Sequence, residues 1–255
     1  MGKKFWEKVK VTENIEIVAG TYCLKFHSPN IVKQAIPGNF IMLRVDDTDS
    51  PLLNRPLGIA GTDEQADIVT VYYRVVGKGT EILSNVQMNE ELFVVGPLGN
   101  GFDMTAQKPL LVGGGIGLAP LLFVAQKFKV DTDIIIGARN KVETFWVDLF
   151  ASYCKNIYLT TDDGSCGTKG NCATILPDIN KKTAYDVVMA CGPEPMLSAV
   201  SKIVSQDNVV CQLSLEKHMA CGFGACLTCT CESVDGDFLQ VCKHGPVFDA
   251  KDVKI

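Results

Sequence analysis

Basic residues are not in excess in this sequence. Its 24 Lys and Arg stand against 29 Asp and Glu, so the net charge is −5 and the pI is near 5.3. That balance argues against a nucleic-acid partner. Histidine is scarce. His27, His218 and His244 are the three present, and they form no constellation for acid–base chemistry. A secretory leader is lacking, since no apolar segment follows the first six residues, and the start also lacks the Ser or Thr of a myristoylation signal. Long hydrophobic runs are few. The longest, residues 109–125, spans 17 residues with four glycines and two prolines, at the short limit for a membrane span. It reads better as a buried strand, loop and helix. No internal repeat or low-complexity segment occurs.

Cysteine is what the chain has in quantity. Eleven cysteines without a leader point to a reducing, cytoplasmic compartment. Four of them, Cys221, Cys226, Cys229 and Cys242, follow the spacing C-x4-C-x2-C-x12-C. This is the plant-type ferredoxin spacing for a [2Fe–2S] cluster held by four thiolates. The residues between them are small: Ala220, Gly222, Gly224 and Ala225. Such a loop can bring backbone N–H groups close to the sulfurs. Zinc is the main rival, but structural zinc draws on paired C-x2–4-C knuckles, and only Cys226 and Cys229 have that form. Cys231 is a fifth candidate ligand, or a packed free thiol.

Hydrophobic content of 47% over 255 residues supplies well-filled cores. Short apolar or alternating runs at 5–11, 22–27, 40–45, 68–76 and 91–95 predict strands, with turns at 29–30, 37–38, 46–49 and 61–63 and a helix at 81–86. This is the grammar of an antiparallel β-barrel or sandwich over 1–102. From 103 the pattern alternates. Strands are expected at 110–113, 134–137, 157–161 and 186–191, and helices at 118–128, 144–153 and 194–204. That predicts an α/β doubly wound parallel sheet over 103–213. Residues 214–255 form a small C-terminal module around the four cysteines.

Two stretches of the α/β region suit a nucleotide. Gly113-Gly114-Gly115-Ile116-Gly117-Leu118-Ala119-Pro120 follows a strand and opens a helix, so its backbone can approach a pyrophosphate. It departs from G-x-G-x-x-G, because no third glycine stands where that pattern needs one. Cys191-Gly192-Pro193 forms a second strand–helix corner. In the barrel region, Arg55-Pro56-Leu57-Gly58 offers a planar guanidinium for a phosphate or a flavin edge. The run from Val76 to Glu81, with Gly79 and Thr80, offers N–H donors and a hydroxyl, a second anion cradle.

Together these motifs resemble the ferredoxin–NADP reductase superfamily. More closely, the chain resembles the electron-transfer subunits of NAD-linked (class 1B) dihydroorotate dehydrogenase. The carriers are Pro37-Gly38-Asn39-Phe40, Arg55–Gly58, Gly77–Thr80, the 113–120 loop, Thr161-Asp162-Asp163-Gly164-Ser165 with Lys169-Gly170, Cys191–Pro193 and the cysteine tail. The resemblance implies FAD held by Arg55, Pro56, Leu57, Gly58, Tyr72, Tyr73, Arg74, Gly79 and Thr80. It implies NAD(H) near Gly113, Gly114, Gly115, Gly117, Cys191, Gly192 and Pro193, and a [2Fe–2S] cluster on Cys221, Cys226, Cys229 and Cys242. It also implies a partner subunit carrying FMN and the pyrimidine site, in a two-plus-two heterotetramer serving pyrimidine biosynthesis. The family usually has Ser or Thr where this chain has Gly58.

Other readings keep the same motifs. One is an NAD(P)H-linked subunit of a sulfide dehydrogenase or of a ferredoxin–NADP bifurcating complex. A self-contained reductase feeding a free carrier is another. A non-enzymatic zinc- and nucleotide-binding regulator is the reading from a different class. The sequence leaves NAD over NADP open: Arg139, just past a strand end, suits a 2′-phosphate or a solvated loop.

Overall fold

The computed structural model describes residues 3–45, 48, 50–129, 132–207 and 209–255. The turn expected at 46–49 therefore lies mostly outside the described residues. Six strands close an antiparallel barrel: β1 (Phe5–Val18), β2 (Thr21–His27), β3 (Phe40–Arg44), β4 (Arg55–Asp63), β5 (Ile68–Arg74) and β6 (Glu91–Leu98). Their order is β1-β2-β5-β4-β3-β6. Alternation drives the closure, because every second residue turns an apolar side chain inward. Leu24, Phe26, Ile41, Leu43, Ile59 and Val71 fill the interior.

Helix α1 (Pro29–Gln34) caps the barrel with Ile31 and Val32 buried. Sequence reading took Pro29-Asn30 for a turn. The Ser28 hydroxyl instead accepts the Ile31 N–H at 3.2 Å, and proline is tolerated in a first turn. Helix α2 (Lys78–Ser84) starts three residues before the helix expected at 81–86. Strand β4 is the larger surprise. Residues 54–60 were read as the end of a segment and 61–63 as a turn, yet all but Asn54 belong to one strand, which pairs with both β3 and β5.

The second domain is a seven-stranded sheet of β7 (Pro109–Gly114), β8 (Asp133–Ala138), β9 (Asn156–Thr161), β10 (Thr168–Lys169), β11 (Val187–Cys191), β12 (Val210–Ser214) and β15 (Val247–Asp249). The order is β10-β9-β8-β7-β11-β12-β15, parallel except for β15, which runs antiparallel to β12. Strands β7 and β11 are buried at every residue, as expected for strands covered on both faces. Helices α3 (Leu118–Phe128) and α4 (Trp146–Phe150) cover one face, and α5 (Cys172–Lys182) and α6 (Glu194–Val204) the other. Each fully buried leucine or isoleucine of these layers contributes about 1.5–3 kcal/mol.

Two of these helices differ from expectation. The helix expected at 144–153 is split, with a tight 3-10 turn over Lys141–Phe145 before α4. Helix α5 escaped sequence reading because Pro177 interrupts its pattern; Leu176 and Ile179 anchor it on the sheet. The C-terminal module holds the hairpin β13 (Thr230–Glu232) and β14 (Phe238–Gln240), then α7 (Val241–His244). Its chain then returns through β15 into the sheet, and β12 itself reaches Ser214. Among the described residues no helix is long and apolar enough to cross a membrane.

Candidate redox sites

The sheet reverses its winding between β7 and β11, and ligands of open α/β sheets sit at the carboxyl ends of strands at such a point. There the two glycine corners meet. Gly113 pairs with Cys191 across the strands. A Cβ on Gly117 would lie 2.6 Å from the Gly192 N and Cα, so the two backbones touch. Gly192 has φ +155° and Gly115 φ +58°, both closed to most side chains. Nothing lies within 4 Å of a Cβ built on Gly115, which leaves open room above the loop. Pro193 precedes α6 as its cap residue. The Cys191 sulfur joins the core, and burial pushes its thiol up.

On the barrel, the Arg55 guanidinium lies against the first turn of α2. A Cβ on Gly79 would meet its Nη1 at 2.2 Å. The first-turn amides of α2 have no intrahelical acceptor and carry the positive end of the helix dipole. Arg55 and Gly79, read from sequence as parts of two separate anion-binding motifs, thus lie side by side. Thr80 contributes differently. Its hydroxyl accepts the Val76 N–H at 2.9 Å and the Gly77 N–H at 3.2 Å, and donates to the Gly77 carbonyl. It shapes the loop rather than offering a free donor.

Strand β5 separates its three candidates. Tyr73 points into the barrel, stacks on Tyr22 and donates its hydroxyl to the Asn14 Oδ1 at 2.9 Å. Tyr72 faces outward and packs on Trp146 of the second domain, with ring centroids 5.1 Å apart. The Arg74 Nη2 donates to the Glu143 Oε1 at 2.8 Å. Along β4, Leu57 is buried in the barrel while Pro56 is exposed and Gly58 half-buried. A Cβ on Gly58 would meet the Pro120 ring of α3 at 3.5 Å, an ordinary contact. The barrel strand β4 and the start of α3 thus pack side by side.

The four-cysteine loop packs on the same barrel. Gly222 lies so close to Met42 of β3 that a Cβ would be 2.4 Å from its Cγ. Met42 is paired across the sheet with Pro56, and Phe40 with Gly58. One strand therefore separates the cysteine loop from the Arg55–Gly58 segment. The Cys226 thiol is within hydrogen-bonding reach of Cys221, and Cys242 of Cys229. Among the described residues no three His, Cys, Asp or Glu side chains gather as for a single ion.

The donors expected around a cluster are in place. The Ala225 and Phe223 N–H groups point at the Cys221 Sγ at 3.3 and 3.5 Å, and the Cys242 N–H at the Cys229 Sγ at 3.4 Å. The Thr228 hydroxyl lies 3.2 Å from the Cys226 Sγ. That contact, with backbone N–H groups, lowers the exposed Cys226 thiol to about 6. Gly222 and Gly224 have φ of +78° and +88°, which lets the loop curl around its sulfurs. Cys231 is buried in β13 as a packed thiol, and burial raises it.

Residues 216–254 match the family described as the iron–sulfur cluster binding domain of dihydroorotate dehydrogenase B. Over nearly the full length, the chain is 39% identical to the dihydroorotate dehydrogenase B (NAD(+)) electron transfer subunit of Fusobacterium nucleatum, covering 98% of both chains. It is 42% identical to the subunit of the same name from Clostridium acetobutylicum, covering 94% of this chain and 93% of that one. The chain belongs to this family of electron transfer subunits. Among solved structures, an NADH-dependent reduced ferredoxin–NADP oxidoreductase superposes with a TM-score of 0.85 at 29% identity, covering 96% of this chain and 89% of that one. A ferredoxin NADP+ reductase from Neisseria gonorrhoeae shares the fold, with a TM-score of 0.66 at 13% identity over 80% and 92% of the two chains.

Within this family member, two site residues escaped sequence reading. Glu216 stands just beyond β12 and lines a cavity of about 190 Å³ with Gly192, Pro193 and Leu197. It stays accessible to water on the cavity wall, yet the surrounding protein pushes its carboxyl up. Its one signal was its place after a buried strand, and that strand was not recognised. Glu143 sits in the 3-10 turn and joins the two domains.

Proposed function

We propose that this chain, in the cytoplasm, passes electrons from the FMN of a dihydroorotate-oxidising partner to NAD+, within a two-plus-two assembly of pyrimidine biosynthesis. A bound [2Fe–2S] cluster supplies one-electron transfer, and FAD joins single electrons to hydride transfer with nicotinamide. Cys221 with Cys226 and Cys229 with Cys242 would hold the two irons. Arg55, Gly79 and the first-turn amides of α2 would hold the FAD pyrophosphate. Pro56 and Gly58 would border its ring, and Tyr72 and Arg74 would wall the site. Leu57, Tyr73 and Thr80 support it from behind. Gly113, Gly114, Gly115, Gly117 and Cys191–Pro193 would seat the dinucleotide.

One observation carries this reading: β3 alone separates the cysteine loop at Met42 from Pro56, while Gly58 borders Pro120 of the nucleotide loop. These contacts support a short path between the three proposed sites. The His244 Nδ1 is taken up by the Gln240 N–H. Proton chemistry on the pyrimidine would fall to the partner. The test is capture of the native partner from anaerobic extract. Recovery of an FMN protein that reduces NAD+ with dihydroorotate only when this chain is added supports the reading. Recovery of a sulfide- or ferredoxin-linked partner instead overturns it.

Gly58 offers a second test. The position accepts a side chain with ordinary contacts. Gly58→Ser will add a hydroxyl beside the flavin ring and shift the FAD potential by a few tens of millivolts. One hydrogen bond is worth ~1 kcal/mol, and ~1.4 kcal/mol is about 30 mV for two electrons. Spectroelectrochemical titration reads the shift, and an unchanged potential refutes the placement of Gly58.

A further inference from the structure

Arg139 follows β8, the second parallel strand, where doubly wound folds meet the adenosine ribose of a dinucleotide. An arginine there ordinarily accepts a 2′-phosphate through its planar fork. In this chain the fork is occupied. The Arg139 Nε donates to the Glu143 Oε1 at 2.8 Å, and its Nη2 donates to the same oxygen. The Arg139 backbone N–H reaches the Glu143 Oε2 at 3.2 Å.

Glu143 cannot follow Arg139 toward a ligand, because Arg74 of the barrel holds the same oxygen at 2.8 Å. The Glu143 side chain is 10% exposed, whereas that of Arg139 is 65% exposed. Burial alone would raise the Glu143 carboxyl, but its bonds to Arg139 and Arg74 outweigh that and hold it below the usual carboxylate range. Asp162, at the end of β9, adds negative charge facing Arg139. The Asp163 N–H bonds the Arg139 carbonyl at 3.3 Å, and the Lys141 N–H bonds the Ser165 hydroxyl at 2.8 Å, so the two loops are braced together.

We infer that Glu143 is a selectivity residue for the dinucleotide. By filling the fork of Arg139, it makes the site accept a ribose with a free 2′-hydroxyl and reject a 2′-phosphate. The inference rests on the dinucleotide site proposed above. It assigns selectivity to a residue outside the glycine loop, anchored from the flavin domain by Arg74.

The experiment is titration calorimetry of the FAD-loaded protein with NAD+ and with NADP+. Wild type, Glu143→Gln, Glu143→Ala and the double variant Glu143→Ala with Arg139→Gln are compared. The ratio of NADP+ to NAD+ affinity is expected to rise in the order wild type, Gln, Ala, by at least about tenfold at the end of the series. The double variant should return it toward the wild-type value, because the gain needs the freed guanidinium. If the alanine variant does not fold, Glu143→Gln alone carries the test, since it removes the charge that holds the Arg139 fork. A constant ratio across the series, or a gain that survives loss of Arg139, overturns the inference. Wild type binding neither dinucleotide would instead sink the site itself, and with it the reading above.

Discussion

Cys229→Ala will leave the chain without iron or acid-labile sulfide. Cys229 is 2% exposed and its sulfur accepts the Cys242 N–H at 3.4 Å, so the thiol is held in a buried place that an alanine methyl cannot fill as a ligand. Loss of a direct thiolate exceeds the 10–100-fold effect typical of outer-shell changes, so dihydroorotate-dependent NAD+ reduction in the assembled enzyme should fall by more than about a hundredfold. NADH-driven reduction of a small dye should persist, because Arg55, Gly79 and the glycine loop lie on other elements. Cys231→Ala is the control. That thiol is packed in β13 and should leave cluster content at wild-type levels. Stoichiometric iron and sulfide in the Cys229 variant would refute the ligand assignment, as would their loss in the Cys231 variant.

Gly117→Ala is expected to have an effect of similar size on the nucleotide side. The new Cβ would sit 2.6 Å from the Gly192 N and Cα and 2.7 Å from the Cys191 carbonyl carbon. All three are backbone atoms of a buried strand end, so neither side can give way cheaply. Overpacking of this kind costs about 1–3 kcal/mol, seen as a lowered unfolding midpoint. The larger effect is on geometry, since misplacing the two corners by about 1 Å can cost a hundredfold in NADH turnover.

Gly115→Ala separates the two effects. Its Cβ meets no atom within 4 Å, and the φ of +58° adds only about 1–2 kcal/mol of strain. It should leave the two corners in contact while filling the space expected to hold the pyrophosphate. The NADH KM should rise with FAD content intact. Equal behaviour of the two variants in stability and KM would contradict the contact between the corners.

Much of this architecture was legible before folding was considered. The helices read at 118–128 and 194–204 coincide with α3 and α6, because each follows a glycine or proline corner and carries an uninterrupted apolar face. The parallel strands β7, β8, β9 and β11 declared themselves as short continuous apolar runs, whereas β10 and β12 did not. Strand β4 did not, because Pro56, Gly58 and Gly61 carry the marks of a turn. Its strand character comes from its neighbours: Leu57 and Ile59 fill the barrel, and β3 and β5 supply hydrogen bonds on either side. Helices α1 and α5 were hidden by prolines, one in a first turn and one tolerated on an anchored helix.

For the sites, residue type was legible but residue employment was not. Thr80, Tyr73 and Arg74 have the chemistry a flavin site needs. The folded chain uses the Thr80 hydroxyl on Val76 and Gly77, the Tyr73 hydroxyl on Asn14 and the Arg74 guanidinium on Glu143. The partners of Tyr73 and Arg74 lie 59 and 69 residues away and cannot be inferred from spacing along the chain.

The amino-acid order alone therefore determined the succession of barrel, parallel sheet and cysteine tail. It also determined the thiolate spacing and the glycine corners. These are properties of neighbours within a few residues, where backbone dihedrals and short-range periodicity decide. Tertiary structure alone decided that Gly117 rests on Gly192, that β15 rejoins the sheet, and that Glu143 holds arginines from both domains. Those outcomes depend on close packing and desolvation between segments as far apart in the chain as Gly117 and Gly192 or Arg74 and Glu143, and so are written only in three dimensions.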